Sequence, residues 1–320
     1  MPEATVSLED VEPSILPYAE VTFFARFTGN GQLPGFRGAT IRGAFGHHLR
    51  RTVCHVRTIR CSDCIVRSNC VYGYIFEGMA AEDRTVMRLY PYVPQPFVVV
   101  TALHESPEVF EGNLWDFSLR LFGHAIDHFP YIAYSIVEAG KAGLGKDRIP
   151  FEITRITQGA VGKCVYEEGT NCLGKLAVTC TDFNRTRWAG DLLTVDFITP
   201  AKLRVEGRDV HQVNFSDIIR AASRRVGILA HFYGSHGNGV PDGSALAQRS
   251  EAIETVTDET RWFEFDRYSP RQDRRMTLGG VVGRMQFRGA FGPFRRLLTL
   301  TEVAGIGKAT SFGFGRIAVS

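Results

Sequence analysis

Apolar and polar positions along the chain fall into runs of period 2 and period 3.6, which predict strands and helices respectively. Val21–Phe27, rich in β-branched and aromatic residues, reads as a first strand. Residues 28–38, with four glycines and Pro34, read as a loop. From Thr40 to Val53 the residues Ile41, Ala44, Phe45, Leu49 and Val53 recur at helical spacing, so a helix with one buried stripe is expected. Strands follow at Phe97–Ala102 and Leu114–Phe122, a helix at His124–Glu138, a glycine-rich loop at Ala139–Arg148 and a strand at Phe151–Ile156. Beyond a linker with a hairpin (158–190), Leu192–Ile198 and Ala201–Val205 are strand-like. Phe215–Tyr233 is a helix on the stripe Ile218, Ile219, Ala222, Val226 and Leu229. Residues 234–250 read as a flexible loop, Trp262–Phe265 and Val281–Gln286 as strands, Pro293–Val303 as a helix and Arg316–Val319 as a last strand.

Each half thus orders as β-α-β-β-α-β, the ferredoxin-like unit of a four-stranded antiparallel sheet with two helices on one face. The expected class is α+β: two tandem ferredoxin-like (RRM-like) domains, residues 1–157 and 191–320, joined by 158–190. The first carries a Cys-rich insert at about 54–77. The order strand, helix, glycine loop, short strand occurs at 114–156 and again at 281–319, an internal echo. The RNA-recognition motif shares this fold and stacks single-stranded RNA on sheet aromatics.

Length and charge narrow the class. A chain of 320 residues has a soft prior of about two domains. No apolar run reaches the roughly 18 residues that cross a bilayer, so no membrane partner is expected. The acidic start lacks a signal-peptide core, and a cytoplasmic address is expected. A net charge of +3 is too small to imply a polyanion by itself, so the placement of charge carries that argument.

Three stretches carry candidate chemistry. The C-terminal Gly305–Ser320 places glycines at 305, 307, 313 and 315 among Lys308, Phe312, Phe314 and Arg316. Such density permits positive φ and close backbone approach, with amides and two cations facing an anion; the plainer reading is a helix C-cap and turn. The earlier loop offers Lys141, Lys146 and Arg148 in the same role. On the first helix Arg42, Gly43, Gly46, His47, Arg50 and Arg51 share the face opposite the apolar stripe, while His48 falls nearer the stripe. Three cations and a histidine, the side chain that exchanges protons near neutral pH, suit an anionic substrate. On the Phe215–Tyr233 helix, Arg220, Arg224 and His231 form a second basic face.

Cys54, Cys61, Cys64 and Cys70 form C-x6-C-x2-C-x5-C in a polar stretch with little core of its own. Four thiolates suit structural zinc, which would replace that missing core; an iron–sulfur cluster uses the same ligands, and free thiols are the third reading. A closed four-thiolate site leaves no open position for metal-dependent hydrolysis. Cys164, Cys172 and Cys180, eight residues apart, fit no metal motif.

Several motifs together resemble a known family. They are Arg42-Gly-Ala-Phe-Gly-His47, Cys70-Val-Tyr-Gly-Tyr-Ile-Phe-Glu77, Gly143-Leu-Gly-Lys-Asp-Arg148, Arg267-Tyr-Ser-Pro-Arg-Gln272, Gly279-Gly-Val-Val-Gly283 and the C-terminal glycine loop. With the paired halves, they resemble the repeat-associated RNA-binding superfamily of CRISPR systems, in particular its precursor-crRNA processing endoribonucleases (the Cas-six type). The resemblance implies binding of CRISPR repeat RNA, with other CRISPR effector subunits as partners. It implies metal-free cleavage, in which a general base deprotonates a 2′-hydroxyl and a 2′,3′-cyclic phosphate is left. His47 matches the family's catalytic histidine on the first helix, with Arg50 or Arg51 as the cation and His231 as the alternative. Arg42, Lys141, Lys146, Arg148, Arg220, Arg224, Lys308, Phe312 and Arg316 are then the expected RNA contacts. Many relatives carry a histidine just before the last glycine loop, where this chain has Ala304 and Gly305. That difference keeps open a non-catalytic subunit that only holds the crRNA hairpin.

Overall fold

The computed structural model describes residues 15–56, 58–78, 93–170, 172–183, 190–234, 242–269 and 274–320. Two antiparallel sheets organise them. The first contains β1 (Tyr18–Phe27), β2 (Phe97–Val100), β3 (Leu114–Phe122), β4 (Phe151–Gln158) and β5 (Lys163–Glu167), in the spatial order β2-β3-β1-β4-β5. Helices α1 (Gly38–Val53) and α2 (Phe129–Ala142) pack on each other and share one core with this sheet. The second sheet contains β6 (Leu192–Ala201), β7 (Glu254–Ser269), β8 (Arg274–Arg288) and β9 (Ile317–Val319), in the order β7-β8-β6-β9. Helices α3 (Phe215–Tyr233), α4 (Gly243–Ser250) and α5 (Arg295–Ala304) complete that half.

Local chemistry accounts for these elements. Along β1 burial alternates strictly, with Ala19, Val21, Phe23, Ala25 and Phe27 inward, as period-2 pleating demands. Ile41, Phe45 and Leu49 form the buried stripe of α1. α3 begins with a reciprocal capping box: the Asn214 side chain accepts from the Asp217 amide at 2.9 Å, and the Asp217 carboxylate accepts from the Asn214 amide at 3.1 Å.

The structure redraws several expected boundaries. Residues 124–128 do not begin α2; Gly123–Ala125 makes a 3₁₀ turn, and Pro130 occupies the first turn of the helix, where its missing N–H costs nothing. The helix then runs on to Ala142 and stops at Gly143, whose φ is +82°. The strand expected at 192–198 extends to Ala201 as β6, and of the strand expected at 201–205 only Arg204–Val205 remains beyond it, in a two-residue ladder with Arg208–Asp209. Part of the expected loop 234–250 is helical, because Asp242 accepts from the Ser244 and Ala245 amides and starts α4. β7 and β8 form a hairpin of sixteen and fifteen residues, far longer than their apolar centres suggested. The linker 158–190 contributes β5 to the first sheet, and Thr179 bridges back to Tyr18. Residues 270–272 of the Arg267–Gln272 motif lie outside the described residues.

One strand ties the two cores together. β2 reads Phe-Val-Val-Val and is buried on both faces. Phe97 and Val99 enter the core beneath α1, whereas Val98 and Val100 enter the core of the second half. Neighbouring β3 does the same with Leu121 and Phe122. A strand covered on both sides reads as a continuous apolar run rather than an alternating one.

α1 starts against the second half. A Cβ built on Gly38 would lie 2.0 Å from the carbonyl oxygen of Phe312. Replacing Gly38 with Ala must therefore push the two halves apart locally, and overpacking of this kind costs roughly 1–3 kcal/mol. The expected outcome in thermal or urea denaturation is a lower midpoint than wild type; an unchanged midpoint would show that the Phe312 loop does not rest there.

Candidate nucleic-acid interface

The loop between α5 and β9 is held in an unusual path. Gly305, Gly307, Gly313 and Gly315 all have φ between +71° and +86°, and Ala309 joins them at +63°. A side chain at 315 would meet the Ile306 carbonyl at 2.0 Å, so glycine is required there on two counts. The amides of Gly305, Gly313 and Gly315 donate to Thr301, Thr310 and Pro200, and that of Lys308 donates to Lys202. The expectation that the loop's amides point at an anion is therefore corrected for these residues. The glycines serve the fold, and side chains are left to supply the charge.

Those side chains gather round a cavity of about 330 Å³ between α3, the 202–204 segment and the loop. Lys202, Arg204, Arg224, Arg225 and Lys308 line it, with Pro94 and Gln95 from the first half. Lys202 and Arg204 both pair with Asp209, at 3.0 and 2.7 Å. Arg224 and Lys308 are exposed and make no ion pair among the described residues. His231 is exposed on α3, three residues beyond Ile228 and seven beyond Arg224, and so extends the helix face that lines the cavity. Next to the cavity, Arg42 of α1 donates to the Ser311 hydroxyl at 3.3 Å and lies 4.2 Å over the Phe312 ring. The structure thus joins Arg42, Phe312, Lys308 and Arg224 at one seam, although they come from both ends of the chain.

The other expected contacts do not share that seam. Arg50 turns to Tyr72, 5.8 Å from its ring centre, and bonds with Cys54; Arg51 lines a separate pocket with His48, Tyr134, Glu138 and Lys141. The reading of Arg42, Arg50 and Arg51 as one face is corrected: Arg42 lies about two turns before the adjacent Arg50 and Arg51, and the three side chains reach three different neighbours. Lys141 pairs with Glu138 at 2.8 Å, and Arg220 pairs with Glu251 at 3.3 Å. Lys146 and Arg148 are exposed on a loop packed against residues 31–33, where Asp147 accepts from the Gln32 amide. Arg316 is half-buried; burial, then Arg120, hold its guanidinium below the usual arginine range, with Glu20 opposing. It belongs to the contact between halves rather than to an open surface.

His47 stands on an open strip of α1. It is exposed, its ring contact is with His48 at 5.1 Å, and a Cβ at neighbouring Gly43 would touch nothing within 4 Å. A sugar–phosphate chain can therefore approach this helix closely between Arg42 and His47.

Sequence reasoning missed Lys202, Arg204 and Arg225. Lys202 and Arg204 were hidden in a run read only as strand. Arg225 carried a legible signal, an arginine inside the apolar stripe of α3 beside Ala222, Val226 and Leu229. Its Nε donates to the Ala304 carbonyl at 3.3 Å and its Nη2 has no partner.

Cys54, Cys61, Cys64 and Cys70 are all half-buried and all line one cavity of about 530 Å³. Among the described residues no three metal-ligating side chains are gathered at bonding distance. The donor set nevertheless fits a four-thiolate centre, and the Arg50 cation beside Cys54 and Cys61 would offset part of its charge.

Comparison with known proteins places this geometry. A family model described as the AF_1859 N-terminal domain matches residues 16–178, and one described as the CRISPR-associated endoribonuclease Cas6 matches residues 195–317. An uncharacterised protein of Archaeoglobus fulgidus is 27% identical over 286 residues, covering 88% of this chain and 91% of that protein. A Cas6 of Thermus thermophilus superposes with a TM-score of 0.54 at 13% identity, covering 95% of this chain and 99% of its own. A chain of a partial Cas6-RT-Cas1–Cas2 complex superposes with a TM-score of 0.56 at 11% identity, covering 96% of this chain; the present chain spans 46% of that longer one. At these identities the structural likenesses show a shared mixed α/β fold with antiparallel sheets.

The pocket between α1 and α2 also sets a pH response. Burial, followed by the charges of His47 and Arg51, holds His48 below the usual histidine value, with Glu138 opposing; burial does the same for His128. A depressed pKa means that the unfolded chain takes up the proton first. Stability from these rings is complete above about pH 6.5 and is lost as pH falls through their lower folded values. The melting temperature of wild type is expected to drop as pH falls below about 6.5, and His48→Gln should make that drop shallower. Identical slopes for the two proteins would remove His48 from the effect.

Proposed function

On the premise that this chain belongs to the Cas6-type CRISPR processing proteins, we propose that it binds the repeat segment of a CRISPR transcript along the seam between its halves and cuts it there. The observation that carries the reading is the docking of the glycine loop on α1, which sets Arg42, Phe312, Lys308 and Arg224 beside one another. Each half, ordered β1-α1-β2-β3-α2-β4 and β6-α3-β7-β8-α5-β9, supports a reading as two ferredoxin-like repeats divided near residues 158–190. A single-stranded segment would lie across both.

In this proposal the His47 imidazole takes the proton of the 2′-hydroxyl next to the scissile phosphate. The freed oxygen attacks phosphorus in line, the bond to O5′ breaks, the departing O5′ takes a proton from water, and a 2′,3′-cyclic phosphate and a 5′-hydroxyl remain. Arg42 or Lys308 would stabilise charge on the phosphoryl oxygens. The Arg50 assignment is withdrawn because its side chain is committed to Tyr72 and Cys54. His231, beside the cavity on α3, is the alternative base. A second reading, a subunit that only holds crRNA, draws on the exposure of His47 and the lack of a carboxylate bonded to it among the described residues. The longer relative belongs to a Cas6-RT-Cas1–Cas2 complex, and association with Cas1 and Cas2 is a proposal for this chain.

Cleavage of repeat RNA in EDTA tests the proposal. Wild type should cleave and leave a cyclic phosphate. His47→Ala should slow the step by about 10²–10⁴-fold, the usual contribution of a general base, with little change in affinity. An unchanged rate in His47→Ala with a slow His231→Ala moves the base to α3, and tight binding of intact RNA in every buffer selects the holding subunit.

We further propose one structural zinc ion on Cys54, Cys61, Cys64 and Cys70, outside the chemistry. Elemental analysis should find about one metal per chain, and chelation should lower the melting temperature while leaving cleavage by still-folded protein intact. Metal-free protein with unchanged melting would end this assignment.

A further inference from the structure

The cavity under the glycine loop has a property that phosphate binding does not use. Its wall is mostly apolar, with Pro94, Ala221, Ile228 and Ala309 between the cations. Deep in it sits Arg225, 9% exposed, with Nε spent on the Ala304 carbonyl and Nη2 unpartnered. A buried donor without a partner costs about as much as a lost hydrogen bond, so its persistence calls for a reason. Burial lowers Arg225 to about 10, Tyr233 opposing, so it remains a cation at neutral pH. No carboxylate is bonded to it among the described residues. Gln95, which also lines the cavity, donates its amide to the Phe76 carbonyl at 2.9 Å, which leaves its side-chain oxygen to accept.

A free phosphate would suit the exposed rim, where Lys308 and Arg224 stand, but not an apolar throat. A protein side chain would not need the rim. The combination of an apolar throat, a buried donor, an acceptor and a cationic rim matches one nucleotide: base inside, phosphate outside. The volume of about 330 Å³ is at the small end of ligand pockets, which run from about 300 to 1,000 Å³.

Resting on the RNA-binding reading above, we propose that one unpaired nucleotide of the bound RNA is extruded into this cavity. Its base lies against Ala221 and Ile228, and a ring carbonyl accepts from Arg225 Nη2. Its phosphate lies against Lys308 and Arg224. Guanidinium donors pair best with carbonyl oxygens, so guanine or uracil is favoured over adenine, which has none. The cavity thereby gives the protein a sequence preference at one position of an RNA held otherwise by its backbone.

The test uses the full chain and the RNA that co-purifies with it, resynthesised with an abasic site at each position in turn. One unpaired position should weaken binding about tenfold when made abasic, and by a similar factor when replaced with adenosine. Ala221→Leu, which fills the throat, should bind all of these RNAs alike, and Lys308→Ala should instead weaken every RNA and lower the salt slope by about 0.7. Arg225→Gln serves as a second variant if Ala221→Leu fails to fold. Losses spread evenly over all positions, in protein whose affinity still falls steeply with salt, overturn the nucleotide pocket and leave the RNA-binding reading in place. No RNA bound at all overturns both.

Discussion

The functional edge of this protein depends on one steric constraint: the start of α1 must lack a side chain so that the carbonyl of Phe312 can come to rest on it. Around that contact lie Phe36, Phe265 and Phe314, with ring centres 5.2–5.8 Å apart, and the Arg42 guanidinium over Phe312. A helix from the beginning of the chain and a loop from its end are thereby fixed to each other. The cations that line the seam owe their proximity to this packing, since their spacing in sequence spans more than two hundred residues.

The same junction solves a backbone problem. The last carbonyls of α5 have no partner within the helix and carry its negative end. Arg120, from β3 of the other half, donates to the carbonyls of Glu302 and Val303, and Arg225 donates to that of Ala304. Arg120 also holds Glu20 at 2.5 Å. Arg120, which looks like surface charge in the sequence, is thus structural, and Arg225 braces the same helix end, whereas Lys308 and Arg224, of the same charge, face outward.

Local pattern was sufficient for much of the fold. The apolar stripes of α1 and α3 and the alternation of β1 placed those elements because one face of each is buried and the other is not. The β7–β8 hairpin was underestimated because its outer residues, such as Thr257 and Asp258, pair along an exposed ladder and carry no apolar signal. α4 was missed because a short helix rests on its cap more than on its stripe. At the candidate site, residue types were legible but directions were not. Arg42 stands about two turns before the adjacent Arg50 and Arg51, and only the tertiary neighbours decide that one meets Ser311, one Tyr72 and one the α2 side.

β2 has a consequence for the separability of the halves. Its four residues feed two cores alternately, Phe97 and Val99 on one side and Val98 and Val100 on the other. The two cores are therefore not independent of each other at this strand. The first half expressed alone would present Val98 and Val100 bare to water, and a graft of that half onto a foreign partner would have to recreate their complement before anything else could fit.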